Sequence, residues 1–148
     1  MQKLIVFLIL VFLFNSNVIA NEKNYFLMLK NKKVNVRHGP SFDYPIKFIY
    51  NKKFLPVEVI DKKENFRRII DHKKNSGWIH ISQLKNSNSI IVLEDKILYK
   101  NSTKFSKPLV RLEKGRLVIV KKCKLKWCKV KDNKYIGWIN IGNVWGKY

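Results

Sequence analysis

The sequence predicts an all-β protein made of two tandem small domains, each a sandwich or barrel, and three observations carry that prediction. First, an eight-residue phrase occurs twice, about sixty residues apart: Gly77-Trp78-Ile79-His80-Ile81-Ser82-Gln83-Leu84 returns as Gly137-Trp138-Ile139-Asn140-Ile141-Gly142-Asn143-Val144. Second, matching strand pairs precede the two copies. Leu55-Pro56-Val57-Glu58-Val59-Ile60 with Asn65-Phe66-Arg67-Arg68-Ile69 parallels Leu117-Val118-Ile119-Val120 with Trp127-Cys128-Lys129-Val130. Third, beyond residue 20 no stretch keeps a 3.6-residue apolar period for more than two turns, whereas short β-branched runs recur between charged turns. Two copies are too few for a solenoid.

In chain order, residues 1–20 read as a targeting segment. Lys3 supplies the positive charge, residues 4–14 are an unbroken apolar run, and Val18-Ile19-Ala20 suits signal peptidase. Eleven apolar residues are short for a bilayer span, so the segment reads as a secretory signal rather than an uncleaved anchor. No cysteine sits just after Ala20, which argues against a lipid anchor. The expected product is periplasmic or secreted and carries no membrane span after cleavage.

Residues 21–31 form a lead-in, 32–84 the first domain, 85–89 a polar linker, and 90–148 a second, more degenerate domain. Domains of about 55 to 60 residues bury only about 60% of their unfolded surface, so each needs help from large side chains, its neighbour or a cross-link. Phe48, Phe66, Trp78, Trp127, Trp138 and Trp145 are the aromatic candidates for the cores. Short helical turns are expected near residues 82–84 and 142–144.

Val34-Asn35-Val36-Arg37-His38-Gly39-Pro40, followed by Phe42-Asp43-Tyr44-Pro45-Ile46, resembles the opening of a bacterial SH3-like (SH3b) domain. The Gly-Trp-Ile ending of each repeat is similar to the last strand of such domains. The closing Val144-Trp145-Gly146-Lys147-Tyr148 resembles exported two-domain proteins of this kind from Gram-negative bacteria. The resemblance implies two tandem SH3-like β-barrels. It also implies contact with peptidoglycan or an envelope protein, since such domains often accompany wall hydrolases. The second copy departs from the pattern at Lys96-Ile97-Leu98-Tyr99-Lys100-Asn101, where the arginine and Gly-Pro are missing.

Gly39 and Pro40 are expected to make a turn, with Gly39 taking a backbone angle closed to other residues. Gly77 and Gly137 mark a bulge or a close backbone approach. Trp78 and Trp138 are expected to plug the barrel ends, the alternative being that their rings line a groove. Arg37, Phe42, Tyr44 and His80 are the candidate ligand-binding residues; the resemblance sets the long first loop beside the last strands, which implies that Arg37, Tyr44 and His80 converge between the loop at 37–45 and the strand at 78–81. Arg37 has two readings: a bidentate contact to a ligand carboxylate, or hydrogen bonds to loop carbonyls that pin the turn.

Cys123 and Cys128 enclose four residues between the arms of a hairpin, and an exported protein meets oxidising conditions, so a disulfide is expected. Redox, cysteine-hydrolase and zinc chemistry lack their usual partners in this repeat, and no cofactor is implied. Nor do the acidic residues form an evident catalytic pair, so the chain reads as non-enzymatic.

The formal charge is +21, of which Lys3 accounts for one, and only Arg37, Arg67, Arg68, Arg111 and Arg116 are arginines. A field of this sign attracts lipopolysaccharide, nucleic acid or anionic lipid, and charge-driven binding to such polymers is the alternative to a shaped wall-binding site. Lysine spread without a dense block fits compositional drift equally well. N-terminal sequencing of exported protein should start at Asn21; a product that retains Met1 would overturn the assignment as a soluble exported protein.

Overall fold

The computed structural model describes residues 23–147, so the expected signal segment lies outside the described residues. The first repeat comprises β1 (Tyr25–Leu29), β2 (Val34–Arg37), β3 (Ile46–Tyr50), β4 (Pro56–Lys63), β5 (Phe66–Ile70), β6 (Ser76–His80), a 3-10 turn (Ile81–Gln83) and β7 (Leu84–Asn86). The second comprises β8 (Ser89–Val92), β9 (Lys96–Tyr99), β10 (Pro108–Leu112), β11 (Leu117–Lys124), β12 (Trp127–Asp132), β13 (Tyr135–Asn140) and β14 (Val144–Gly146). Each repeat forms a seven-stranded antiparallel sheet. The orders β3-β2-β6-β5-β4-β1-β7 and β10-β9-β13-β12-β11-β8-β14 correspond strand for strand. The all-β tandem architecture is as the sequence predicts. Among the described residues, no helix is long and apolar enough to cross a membrane.

The duplication extends to irregularities. The β4–β5 ladder slips between Val59 and Asp61, and the β11–β12 ladder between Val120 and Lys122, which leaves Ile60 and Lys121 as the extra residues of matching bulges. Beyond the bulges, Lys63 faces Phe66 and Lys124 faces Trp127 across the hairpins. Glu64 and Leu125 open the two turns with left-handed backbones, at φ 47° and 53°. Residues of β4–β5 thus find their equivalents 61 positions later in β11–β12, as both ladders show.

The cores are aliphatic rather than aromatic. Leu29, Val34, Val36, Val57, Ile69 and Ile79 fill the first; Ile90, Val92, Leu98, Leu112, Val118, Val130 and Ile139 fill the second. This corrects the reading of Trp78 and Trp138 as barrel plugs. Side chains alternate across a strand, and Gly77 and Ile79 take the inward positions of β6, so Trp78 lies half-buried on the outer face. Gly137 and Ile139 do the same to Trp138 in β13. Both glycines serve close approach. A Cβ on Gly77 would collide with Val36 Cγ1, and one on Gly137 would lie 2.5 Å from the Tyr99 carbonyl oxygen.

The boundary also differs from the expected one. Lys85 and Asn86 belong to β7 and Ser89 opens β8, so only Ser87 and Asn88 lie between the sheets. The lead-in supplies β1, which pairs with both β4 and β7. A short helical turn appears at Ile81–Gln83, whereas residues 142–143 form a bend that leads into β14.

The repeats share packing. Ile91 is buried within the first core, and Leu93, Leu117 and Trp145 of the second repeat pack against it. The Trp145 indole Nε1 donates to the Pro56 carbonyl at 3.1 Å, and its ring meets Phe26 edge-on at 5.2 Å. Buried Ser89 donates its hydroxyl to the Phe54 carbonyl at 2.7 Å. These contacts supply what two marginal barrels need from each other.

A second anchor fixes the turn between β5 and β6. The Asp71 carboxylate accepts from the Lys73 and Asn75 backbone N–H groups, the Asn75 side-chain amide and the Tyr50 hydroxyl, all at 2.8–2.9 Å. Burial raises the Asp71 pKa, but the hydrogen bonds from Asn75, Tyr50 and Lys73 outweigh it and hold the carboxyl below its ordinary value. Burial, then the hydrogen bond and charge of Asp71, push Tyr50 upward. In the second repeat Asp132 holds the equivalent place and pairs with Arg116 at 2.8 Å.

If the shared packing joins the repeats into one folding unit, Trp145→Ala should lower the stability of both. The expected loss is about 2–3 kcal/mol, below the ~3–5 kcal/mol of a fully buried aromatic because Trp145 is half-buried. Hydrogen exchange should show protection falling together in β4–β5 and β11–β12. Loss confined to β14 would show two independent units.

Candidate functional site

The Arg37–Pro45 region forms a loop closed by the His38 N–H on the Pro45 carbonyl, at 3.2 Å. Arg37 leaves the end of β2, opposite Trp78, and its Nη1 donates to the carbonyls of Phe42 at 3.1 Å and Tyr44 at 2.8 Å. Its guanidinium also lies 5.3 Å from the Phe42 ring centroid. The structure therefore gives Arg37 the internal reading: it pins the loop. Ser41 adds a local turn, its hydroxyl accepting from the Asp43 N–H at 3.0 Å.

Three of the four candidate residues come together. The Phe42 ring lies 5.2 Å from Phe66 and 5.1 Å from His80, and His80 lies 5.1 Å from Phe66. Phe66 is buried, while Phe42 is 64% exposed and forms the outer face of this cluster. His80 Nδ1 accepts from the Ser82 N–H and lies 2.8 Å from its hydroxyl, capping the 3-10 turn. Tyr44 points elsewhere and packs its ring over Gly39: a Cβ on Gly39 would lie 2.5 Å from three ring carbons. That corrects the reason for this glycine. Its φ is not positive; the residue is small because Tyr44 occupies the space. Pro40 is half-buried within the loop.

The second repeat builds the same loop from different residues. The Lys100 N–H donates to the Lys107 carbonyl, as His38 does to Pro45. Ser106 N–H donates to Thr103 and Phe105 N–H to the Thr103 hydroxyl, as Tyr44 and Asp43 do to Ser41. The register then assigns equivalents. Tyr99, opposite Trp138, stands where Arg37 stands opposite Trp78. Trp127 faces Asn140 as Phe66 faces His80. Lys104 stands in the place of Phe42.

The exchange of Phe42 for Lys104 opens a groove. Tyr99, Lys104, Trp127 and Asn140 line a cavity of about 270 Å³, with Glu94 and Lys96 at its side. Tyr99 meets Trp127 edge-on at 5.9 Å. Glu94 is engaged by Lys96 at 2.9 Å and by Asn143 at 3.1 Å, contacts that hold its carboxyl below the ordinary value. Phe105, fully exposed, stands on the loop beside the groove. Sequence reasoning missed this groove because the motif there is degraded; aligning the two hairpins at their register would have found it.

Cys123 and Cys128 are joined, as expected, and face each other one rung from the Lys124–Trp127 pair. The bridge thus fixes the strand end that carries Trp127. Among the described residues no group of three or more His, Cys, Asp or Glu side chains is placed to hold a metal ion.

The family model for the bacterial SH3 domain matches residues 30–86 and 96–146, and the chain belongs to this family. No curated protein matches the chain. Among solved structures, those of NlpC2 and NlpC1 from Trichomonas vaginalis align with 86% of this chain at 11% identity and a TM-score of 0.39. The chain spans about half of each, 49% and 48% respectively.

Because Arg37 holds the loop through two carbonyls that share one donor nitrogen, Arg37→Met should release it. Hydrogen exchange at His38 and Tyr44 should accelerate about tenfold, while β4–β5 changes little, since methionine keeps the aliphatic stem but offers neither oxygen a donor. Unchanged exchange would show that the turn holds itself.

Proposed function

We propose that the chain is a non-enzymatic, exported binding module that contacts cell-wall peptide or glycan through the loop faces of its two SH3-like barrels. The observation that carries this reading is the paired geometry at equivalent places on a bacterial SH3 scaffold. One face presents the exposed Phe42 ring over Phe66 and His80; the other presents an open groove walled by Trp127 and Tyr99. Aromatic walls with a few polar neighbours suit the flat faces of sugar rings and the short side chains of wall peptides. The disulfide fits an oxidising, extracytoplasmic setting.

The non-enzymatic reading draws support from the carboxylates. Asp71 is occupied by Tyr50, Lys73 and Asn75, Asp132 by Arg116, and Asp95 by Arg111 and the Lys114 N–H. These groups hold turns and strand ends together, which leaves them poor acids or bases.

The net charge of +21 favours a second reading, in which anionic polymers such as lipopolysaccharide, nucleic acid or anionic lipid are held by charge. Sacculus cosedimentation at low and high salt separates the two. Binding that persists at high salt, and falls about tenfold (~1.4 kcal/mol) in folded Trp127→Ala, is the expected result. Complete loss at high salt would favour the charge reading. Salt-resistant binding to whole envelopes, but none to purified sacculi, would point to a protein partner.

A further inference from the structure

A larger cavity, about 470 Å³, lies between the two repeats and away from both loop faces. Its apolar surface comes from Met28 of β1, Phe54 before β4, and Leu117 and Ile119 of β11. Three lysines line it from three strands: Lys85 of β7, Lys121 of β11 and Lys131 of β12. The one carboxylate present, Asp132, is already paired with Arg116.

The duplication shows which of these residues the fold itself requires. By register, Ile119, Lys121 and Lys131 are the equivalents of Glu58, Ile60 and Ile70. Both bulges and both ladders form with either set, so barrel construction does not demand the lysines. The second repeat has replaced two isoleucines with ammonium groups and one carboxylate with an aliphatic side chain, all on the face lining the crevice. At these three positions the first repeat carries one negative charge and the second carries two positive ones beside an apolar floor.

Phe54 makes an independent point. Its φ of 65° is left-handed, an outlier for a bulky aromatic residue. The strain is held in place from both sides: its N–H donates to Leu29, and its carbonyl accepts from buried Ser89 of the other repeat. The result sets the ring at the crevice wall, with the Lys85 ammonium 4.6 Å and the Lys53 ammonium 5.0 Å from its centroid. The left-handed turn itself belongs to the fold, since Gly115 holds the equivalent place at φ 88° with the equivalent N–H bond to Val92; what the first repeat adds is a bulky aromatic side chain where glycine would carry no strain.

We propose that this crevice binds a single anionic amphiphile, with its phosphate or carboxylate head among Lys85, Lys121 and Lys131 and its alkyl chain on Met28, Phe54, Leu117 and Ile119. The volume falls in the range of small-ligand sites, about 300–1,000 Å³. The site is separate from the wall-binding faces, so either assignment can fail without the other.

The test is titration of the folded full mature chain with dodecyl phosphate below its micelle concentration, followed by backbone NMR at about 0.15 M salt. Shifts should concentrate at Met28, Phe54, Ile119, Lys121 and Lys131. Dodecyl trimethylammonium, with the same tail and opposite charge, should bind at least about tenfold more weakly, a difference of ~1.4 kcal/mol. The K121Q/K131Q variant should lose a similar factor, and K121I/K131I, which restores the first repeat's residues, should lose as much. Trp127→Ala should bind dodecyl phosphate unchanged. Equal binding of the cationic probe, shifts scattered over lysines of both repeats, or undiminished affinity in both double variants would overturn the proposal. So would binding to anionic phospholipid vesicles without binding to the monomeric probe, since that would indicate a surface rather than a pocket.

Discussion

The insertion of the second repeat into the first barrel's packing is the constraint on which the rest of the structure depends. Trp145 comes from the last strand, yet its indole is hydrogen-bonded to Pro56 and packed on Phe26. Ile91, from the strand that opens the second sheet, lies wholly inside the first core. With only Ser87 and Asn88 between the sheets, the chain has no slack to let the barrels part. Relative orientation is therefore a property of the core. The loop faces keep a fixed spacing, and the crevice between repeats has walls that belong to both.

Within that shared frame the two copies have divided their chemistry. Loops 38–45 and 100–107 close with equivalent hydrogen bonds, although no residue identity is needed for them to do so. The first copy fills its groove with Phe42 and secures the filling with Arg37. The second places Tyr99 and Lys104 at those positions and leaves the groove open. A duplicated scaffold makes such divergence cheap in stability, because the aliphatic interior and the inward glycines are untouched by what the loop carries.

The fold was readable because its signals are periodic and doubled. Gly-Trp-Ile and the β4–β5 pattern each occur twice, and the hairpin cysteines lie only five residues apart, so all three could be read without knowing the tertiary contacts. Of Arg37, Tyr44 and His80, which the SH3-like resemblance brought together, Tyr44 packs over Gly39 instead and Phe42 takes its place beside His80. The tryptophans were misplaced because size suggested burial, whereas strand alternation had already assigned Gly77 and Ile79 inward. The lead-in and the linker were misjudged because β1 and β7 are stabilised by pairing with residues far along the chain, which local polarity does not show. The second groove lay hidden behind a lost motif, since an open site is defined there by a side chain that is missing.

The hairpin ends of the two repeats differ in how they are held. In the first, Arg67 donates to the Glu64 and Phe66 carbonyls, both at 3.0 Å, so the hairpin end is held by non-covalent contacts alone. In the second, a covalent bond between Cys123 and Cys128 spans the ladder one rung before Trp127. Fraying of that hairpin is thereby restricted to the two turn residues, Leu125 and Lys126. The residence time of anything stacked on Trp127 would then be governed by the contact itself rather than by the opening of the strand beneath it. In a reducing environment that distinction between the copies would disappear.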